Sequence, residues 1–351
     1  MIVAIIWMQI LDNMYHVIYI MLQYIMYYMR GMLTMNGEII TQTQNNNDLL
    51  LKKDNQKELF NRFIVFIDAS PNTIRTYRGS LRQWFKYLSQ VGAGNPTPDT
   101  VRAYRQYLRD TGKKPTTIQN YIIAVKQFFK WTEDEGLYPN IAKHIKGAKI
   151  SHEHKKDYLT SAQARHVLLT INRDSLKGKR DYAMLALMLT MGLRTVEVSR
   201  ANIDDIRTQG DAVVLYVQGK GHVEKDSPVR MPGHVESAIR EYLKARGTTA
   251  SGAPLFASTS HNNLGKRMTT RSISGIVKQS FINAGYDSPR LTAHSTRHTS
   301  ATLNLLNGAT LQETQQLLRH VNLQTTEIYA HNLNAIKNKS SQRVDNAIFN
   351  S

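Results

Sequence analysis

The stretch "LTAHSTRHTSAT", residues 291–302, places several cationic side chains at the start of a predicted helix. His294 and Arg297 stand three residues apart, so they share one helical face, and His298 follows directly. The stretch contains no carboxylate that would balance them. One interpretation is a polar helix start with His298 packed inward. The other is that this end of the helix meets an anion that belongs to a binding partner.

A second stretch, "MGLRTVEVSRANIDDI" at residues 191–206, pairs a cation with an anion. Glu197 follows Arg194 by three residues, a spacing at which a carboxylate can hold a guanidinium in place. Alone, such a pair is most often an ion pair on the protein surface. The pair therefore indicates a functional site only in combination with the other stretches.

Two more stretches complete the set. "VQGKGHVEKDSPV", residues 217–229, sets Lys220 between two glycines in a predicted β-turn, which alone is an ordinary hairpin. "LLRHVNLQTTEIYAH", residues 317–331, ends a helix at His320 and carries Tyr329 in the following segment. A lone tyrosine at such a place is usually part of the core.

Composition restricts the classes of partner. The 351 residues include 45 Lys and Arg against 27 Asp and Glu, a net charge of +18 that favours a polyanion such as nucleic acid. The chain has no cysteine, which excludes disulfides, thiolate zinc sites and a cysteine nucleophile, and fits a reducing cytoplasm. Its length suffices for two domains.

The first 34 residues are apolar and rich in Met and Tyr, unlike the rest of the chain. They lack the basic start and the cleavage site of a signal peptide. Asp12 and His16 interrupt the run that a membrane span would need. We favour synthesis from Met35, with residues 1–53 as an N-terminal extension outside the core, over a peripheral membrane anchor.

Residues 54–142 are predicted to form a helical bundle. Ser70 with Pro71, and Thr97 with Pro98, each combine an N-cap residue with proline at the first helical position. A third helix with one apolar face follows. The basic residues of the bundle are candidates for DNA binding or, equally, an ordinary solvated surface: Arg75, Arg78, Arg82, Lys86, Arg102, Arg105, Lys113, Lys114 and Lys126.

The remaining sequence divides into three parts. Residues 143–156 are basic and without periodicity, which predicts a linker. Residues 157–335 read as a second domain that is mainly α, with short strand signals at 211–218 and 226–232 that predict a small antiparallel sheet. Residues 336–351 form a C-terminal tail.

Taken together, the four stretches resemble the tyrosine recombinase or phage integrase family, from about Asp54 to the C-terminus. The matching residues are Arg194 with Glu197 in G-L-R-x-x-E, Lys220 as the hairpin lysine, His294 and Arg297 in H-x-x-R, His320 as the later histidine, and Tyr329 as the nucleophile. Two positions depart from the family: Arg319 stands where glycine is usual, and Ala293 stands where proline often occurs.

The resemblance implies a two-domain DNA clamp, with a SAM-like helical core-binding domain and a tyrosine recombinase catalytic domain. It also implies cleavage and rejoining through a covalent 3′-phosphotyrosyl intermediate, by four protomers on two sites that pass through a Holliday junction. The C-terminal segment would dock on a neighbouring protomer, and the alternative is a frayed tail. Its apolar residues are Val344, Ala347, Ile348 and Phe349.

Elementary chemistry accounts for the arginines. A phosphodiester gains negative charge in its five-coordinate transition state, and Arg194 and Arg297 can fork onto its non-bridging oxygens while Glu197 orients Arg194. The phosphate is then the anion that the first stretch lacks. Since no cluster of carboxylates accompanies these cations to hold magnesium, we expect neither a metal nor another cofactor.

Proton transfer accounts for the other four residues. The Tyr329 phenol, with an ordinary pKa of about 10, needs a proton acceptor, for which His294 is the candidate. His320 would donate a hydrogen bond to a phosphoryl oxygen. Lys220 would protonate the departing 5′ oxygen.

The sequence therefore predicts a site-specific tyrosine recombinase in the cytoplasm, serving either integration and excision of a mobile element or Xer-type resolution. Its partners would be double-stranded DNA, three further copies in a homo-tetramer on paired sites, and accessory DNA-bending or directionality factors where the system uses them; no membrane is expected. The alternatives are DNA relaxation of the type IB topoisomerase kind and a catalytically silent, sequence-specific DNA-binding protein.

Overall fold

The computed structural model of the protein describes residues 53–149, 157–219, 224–247, 250–320, 322–324, 326–330 and 338–349. The chain divides between Ile150 and Ser151 into two compact units. The described residues are mainly helical with one small antiparallel sheet, which confirms the predicted fold class. The apolar N-terminus and the predicted start at Met35 lie outside the described residues.

The first unit is a bundle of helices. They are α1 (Lys53–Ile67), α2 (Pro71–Val91), α3 (Pro98–Asp110) and α4 (Pro115–Asp134). Ser70 and Thr97 cap α2 and α3 through their hydroxyl oxygens, as the sequence predicts. Helix α4 packs against the other three, and its Phe128 and Phe129 join Trp84 in an aromatic core.

The first unit also includes residues 143–149, which the sequence assigns to a linker. Ile145 is buried in the core of the bundle. Lys126 donates a hydrogen bond to the Ile145 carbonyl at 3.0 Å, and Arg105 donates one to the Lys146 carbonyl at 2.5 Å. This segment therefore differs from the expected tether because two basic side chains of the bundle hold its backbone.

In the second unit, the described residues between Ser161 and Leu318 form seven helices and a sheet. The helices are α5 (Ser161–Leu169), α6 (Leu176–Met191), α7 (Thr195–Arg200), α8 (Gly233–Arg246), α9 (Thr270–Asn283), α10 (Ala293–Leu306) and α11 (Leu311–Leu318). Residues 326–330 are also helical, and α12 (Ser340–Phe349) follows. Helix α6 is buried on nearly all sides and packs against α8 and α10, so it is the centre of this unit.

The sheet has three antiparallel strands in the order β1 (Ile206–Gln209), β2 (Ala212–Val217) and β3 (Ser227–Arg230). Leu215 in the middle strand pairs with Ile206 on one side and Val229 on the other. The sequence indicates β2 and β3 but not β1, since "IRTQ" is short, mostly polar and largely exposed.

Helix α6 ends at Gly192, and this glycine positions the next functional residues. Its φ of 59° lies in the left-handed region, where glycine carries no steric cost. A Cβ atom at this position would lie 2.8 Å from the Leu318 Cδ2 atom, so the backbone of the turn packs directly against the end of α11.

Among the described helices, none is both long and apolar enough to cross a membrane.

Candidate active site

Arg194 and Glu197 form a buried ion pair at the start of α7. Arg194 is the N-cap residue, and its backbone N–H donates to Glu197 Oε2 at 2.7 Å while its Nη1 donates to Oε1 at 2.7 Å. The side chain of Glu197 is 0% exposed and that of Arg194 is 25% exposed. The pair is therefore not the solvated surface pair that this spacing usually gives.

A second arginine contacts the same carboxylate. Arg319 Nη2, from the end of α11, donates to Glu197 Oε2 at 2.8 Å. Burial alone would raise the pKa of Glu197, but Arg319 and then Arg194 outweigh burial and hold that pKa below its usual value. Glu197 is thus an anion at neutral pH, buried between two guanidinium groups.

Arg297 is 1% exposed and links three segments of the second unit. From α10, its Nη1 donates to the Gly192 carbonyl at 2.6 Å and its Nη2 donates to the Leu318 carbonyl. Burial, with Arg194 next, lowers its pKa to about 9, so the guanidinium remains charged at neutral pH. Loss of this side chain would leave two buried carbonyls without a donor, at about 1–3 kcal/mol each.

The end of α11 is a Schellman turn that positions His320. Arg319 adopts φ 54°, its N–H donates to the Gln316 carbonyl at 3.0 Å, and the His320 N–H donates to the Gln315 carbonyl at 3.1 Å. A side chain in the left-handed region costs about 1 kcal/mol more than glycine does. The left-handed backbone explains why glycine suits this position, and the ion pair with Glu197 offsets the cost for arginine.

His320 has a defined orientation and stays neutral. Its Nδ1 lies 2.9 Å from the hydroxyl oxygen of Thr326, a fully buried residue. Burial, followed by the nearby charges of Arg297 and Arg194, lowers the pKa of His320 to about 4. At neutral pH the ring therefore carries a single N–H proton.

Tyr329 is 6% exposed and lies among histidine rings. Its ring centroid is 5.2 Å from that of His298 and 6.5 Å from that of His320, to which it is stacked. Burial raises the pKa of Tyr329, whereas Arg297 and Arg194 lower it in part. The phenol is protonated at neutral pH and lies within the field of both arginines.

His298 connects His294 to the tyrosine, and the site residues predicted from the sequence do not include it. Its ring centroid lies 4.7 Å from that of His294, and the residue is 4% exposed. Inward packing of His298 was one of the two interpretations of this stretch. Its position four residues after His294 is the signal that places both rings on one face of α10.

A cavity of about 570 Å³ lies next to two of the predicted site residues, Arg194 and His294. Its wall includes Arg194, His294, Thr292 and Lys278. Lys278 also donates hydrogen bonds to Asp287 and to the Ser288 carbonyl. The cavity gives a bound molecule access to the exposed part of Arg194.

The predicted hairpin lysine, Lys220, lies outside the described residues. Its neighbour Lys225 is described and forms an ion pair with the buried carboxylate of Asp205 at 2.5 Å. Asp205 Oδ2 also accepts a hydrogen bond from the Asn202 N–H. Lys225 therefore anchors the hairpin to the residues that precede β1.

The basic residues of the first unit differ in their surroundings. Those with exposed side chains and no ion pair among the described residues are Arg75, Arg78, Arg82, Lys86, Lys113 and Lys114. The first four lie on one face of α2, because their spacing is three or four residues. Arg102 is paired with Asp99, and Arg105 and Lys126 hold the backbone of residues 143–149.

Comparisons with known proteins agree on one family. Residues 157–335 match the phage integrase family, and residues 59–136 match the phage integrase N-terminal SAM-like domain. Tyrosine recombinase XerC of Herpetosiphon aurantiacus is 30% identical over 269 residues, which cover 74% of this chain and 84% of that protein. XerC of Thermodesulfovibrio yellowstonii is 29% identical over 272 residues, which cover 75% and 86%.

Solved structures share the fold. XerH site-specific recombinase bound to palindromic difH substrate, in a post-cleavage complex, aligns with a TM-score of 0.64 at 22% identity, over 89% of this chain and 90% of that one. A lambda integrase tetramer bound to a Holliday junction aligns with a TM-score of 0.59 at 15% identity, over 78% and 76%. Because the family match spans just over half of the chain, this protein belongs to the phage integrase family of tyrosine recombinases, enzymes that cut and rejoin DNA.

Proposed function

We propose that the protein is a site-specific recombinase that cuts DNA through a covalent 3′-phosphotyrosyl intermediate formed on Tyr329. The observation that supports this most directly is the position of the Tyr329 ring. It lies against His298 and His320 and within the field of Arg194 and Arg297. A nucleophile, proton carriers and permanent cations are the groups that transesterification at a phosphodiester requires.

The proposed step exchanges one phosphoester bond for another. The Tyr329 oxygen attacks the scissile phosphorus, the tyrosyl ester forms, and the bond to the 5′ oxygen breaks. The phenolic proton passes to the histidine pair, with His294 as the acceptor and His298 in ring contact with both partners. Lys220 supplies the proton to the departing 5′ oxygen. Rejoining reverses these transfers and needs no ATP.

The arginines stabilise the charge that builds up on the phosphate. Arg194 reaches the cavity and is oriented by Glu197. Arg297 is charged but already donates to two backbone carbonyls, so it contributes a fixed cation and rigid support. Preorganised charge of this kind needs no rearrangement in the transition state.

His320 serves as a neutral donor in this scheme. We assign its proton to Nε2, since Nδ1 can then accept from the Thr326 hydroxyl. The Nε2–H group would donate to a non-bridging oxygen. The low pKa of His320 keeps the ring neutral across the neutral range.

Thr326→Val is expected to slow cleavage about tenfold, because the valine removes the hydroxyl that holds the His320 ring in place and, in the proposed tautomer, donates to its Nδ1. Single-turnover formation of the covalent adduct on a nicked suicide substrate measures the rate. Thr326→Ser keeps the hydroxyl and should cleave like the wild type. Equal rates for the Val variant and the wild type would contradict the tautomer assignment.

Cleavage is expected to persist in excess EDTA. The proposed chemistry uses arginine, histidine and lysine side chains for every charge and proton that a metal ion would otherwise handle. Within the described ranges, no three His, Asp or Glu side chains are grouped so that they could hold a metal ion. Adduct formation with and without EDTA tests this, and a loss of activity that magnesium restores would contradict it.

The proposed partners are duplex DNA and three more copies of this chain on two sites. The lambda integrase tetramer on a Holliday junction supports this assembly by likeness of fold. The exposed apolar side chains of α12, namely Val344, Ile348 and Phe349, suit docking on a neighbouring protomer.

The proposed biological role is integration and excision of a mobile element, or Xer-type resolution. It would take place in the cytoplasm, with accessory DNA-bending or directionality factors where the system requires them.

The test incubates the protein with a plasmid that carries two copies of the DNA that flanks the gene encoding this protein. Recombination should give products of defined size, whose junctions map to the cleavage position. Relaxation of a plasmid without paired sites would instead favour the topoisomerase alternative. Binding without any covalent adduct would favour a silent DNA-binding protein.

A further inference from the structure

The guanidinium of Arg319 takes part in the site through Glu197. Arg319 is separated from Glu197 by 122 residues and belongs to the end of α11, whereas Glu197 belongs to α7. Its side chain is 12% exposed. Its Nη1 donates to the Leu317 carbonyl at 2.7 Å and its Nη2 donates to Glu197, while its Nε has no hydrogen-bond partner among the described residues. The side chain is therefore held at its two terminal nitrogens, by Glu197 and by the Leu317 carbonyl.

The two carboxylate oxygens of Glu197 have different partners. Oε1 accepts from Arg194 Nη1, whereas Oε2 accepts from the Arg194 backbone and from Arg319 Nη2. Arg319 therefore occupies the oxygen that a second nitrogen of the Arg194 fork would otherwise take. With that oxygen occupied, the Arg194 side chain is held by one hydrogen bond to Glu197 and stays 25% exposed, and Arg194 is one of the residues that line the cavity.

The balance of charge around Glu197 leads to the same conclusion. Glu197 is a fully buried anion, and a buried anion beside one arginine would cancel most of that arginine's field at the phosphate. With two guanidinium groups around one carboxylate, one positive charge remains in excess. Arg319 is the more buried of the two, so Arg194 is the cation that faces the cavity.

We propose that Arg319 is a positioning residue: it neutralises Glu197 and occupies Oε2, so that the charge and one edge of Arg194 are left for the scissile phosphate. This inference rests on the proposed function and assigns Arg319 no contact with DNA. It also explains why a residue with a left-handed backbone is an arginine here although glycine would fit the backbone better.

The test uses the full-length protein with Arg319→Gly, which suits the left-handed backbone and removes the guanidinium. Cleavage under single-turnover conditions with saturating protein should slow about tenfold, the equivalent of one charge-assisted hydrogen bond. The Kd for DNA should stay within about twofold, since Arg319 acts on the reacting phosphate through Arg194 alone. Arg319→Lys, which keeps a cation able to reach Oε2, should recover most of the rate.

A double-mutant cycle separates positioning from mere packing. In a Glu197→Gln background the anion is absent, so Arg319→Gly should change the cleavage rate less than about threefold further. Arg240→Gln is the matched control, because it also removes one arginine from an ion pair, on the exposed face of α8. It should cleave like the wild type.

The possible results separate the two proposals. If the wild type forms no covalent adduct, the proposed function fails. If the wild type forms the adduct and Arg319→Gly cleaves within about twofold of it, the positioning role is wrong. The positioning role is equally wrong if Arg319→Gly loses as much rate in the Glu197→Gln background as in the wild type. It is also wrong if the Arg319→Lys protein, shown to be folded by its thermal melting curve, recovers none of the rate.

Discussion

Tyr329→Phe is expected to bind DNA as the wild type does and to form no covalent protein–DNA adduct. The substitution removes the attacking oxygen and keeps the ring, whose contacts with His298 and His320 hold the segment in place. Among the described residues of the proposed site, Tyr329 carries the one phenol, and phenolate is the better leaving group for the rejoining step than the alkoxide of Thr326. A nicked suicide substrate traps the adduct, and a denaturing gel detects it.

The matched control is Tyr286→Phe. Tyr286 also contacts a histidine ring, that of His166 at 6.0 Å between centroids, but it lies outside the proposed site. This variant should form the adduct at the wild-type rate. A denaturant-resistant band from the Tyr329→Phe protein would show that another residue is the nucleophile.

Lys220→Ala is expected to slow cleavage of ordinary DNA by about 10²- to 10⁴-fold, the range for loss of one general acid. An alkoxide leaves poorly because its conjugate acid has a pKa near that of water, about 15.7. A substrate with sulfur in place of the bridging 5′ oxygen has a thiolate leaving group, whose conjugate acid has a pKa of about 8.5. That group departs without a proton, so the Lys220→Ala protein should cleave the sulfur substrate nearly as fast as the wild type.

Two comparisons make the result specific. Arg194→Ala and Arg297→Ala should remain slow on both substrates, because these residues stabilise charge on the phosphoryl oxygens. Lys225→Ala should gain nothing from sulfur, since Lys225 is engaged with Asp205 at the base of the hairpin. Rescue of Lys225→Ala instead of Lys220→Ala would move the general acid to Lys225.

The sequence predicts the fold class and the set of reactive residues because both depend on local patterns. Proline and N-cap residues mark the helix starts of the bundle. The order and spacing of the four stretches indicate the family, which the comparisons confirm. The structure brings Arg194, Arg297, His320 and Tyr329 into one site, with His294 joined to it through His298; their catalytic roles stay predictions.

Features that depend on contacts between distant residues could not be predicted. The pairing of Arg319 with Glu197 joins segments that are 122 residues apart, and no local pattern indicates it. Strand β1 pairs with β2 along its whole length, but its own residues are mostly polar and give no strand pattern. The sequence of residues 143–149 resembles a linker, and only the structure shows that Arg105 and Lys126 donate hydrogen bonds to backbone carbonyls of this segment.

The contacts of Arg297 have a consequence for the folding of the second unit. Its guanidinium joins a carbonyl 105 residues earlier in the chain to one 21 residues later. The two hydrogen bonds form only when three segments that are distant in sequence have come together, so they depend on tertiary structure and not on any single helix. Correct folding of the second unit is therefore a condition for placing the Arg297 guanidinium in the site.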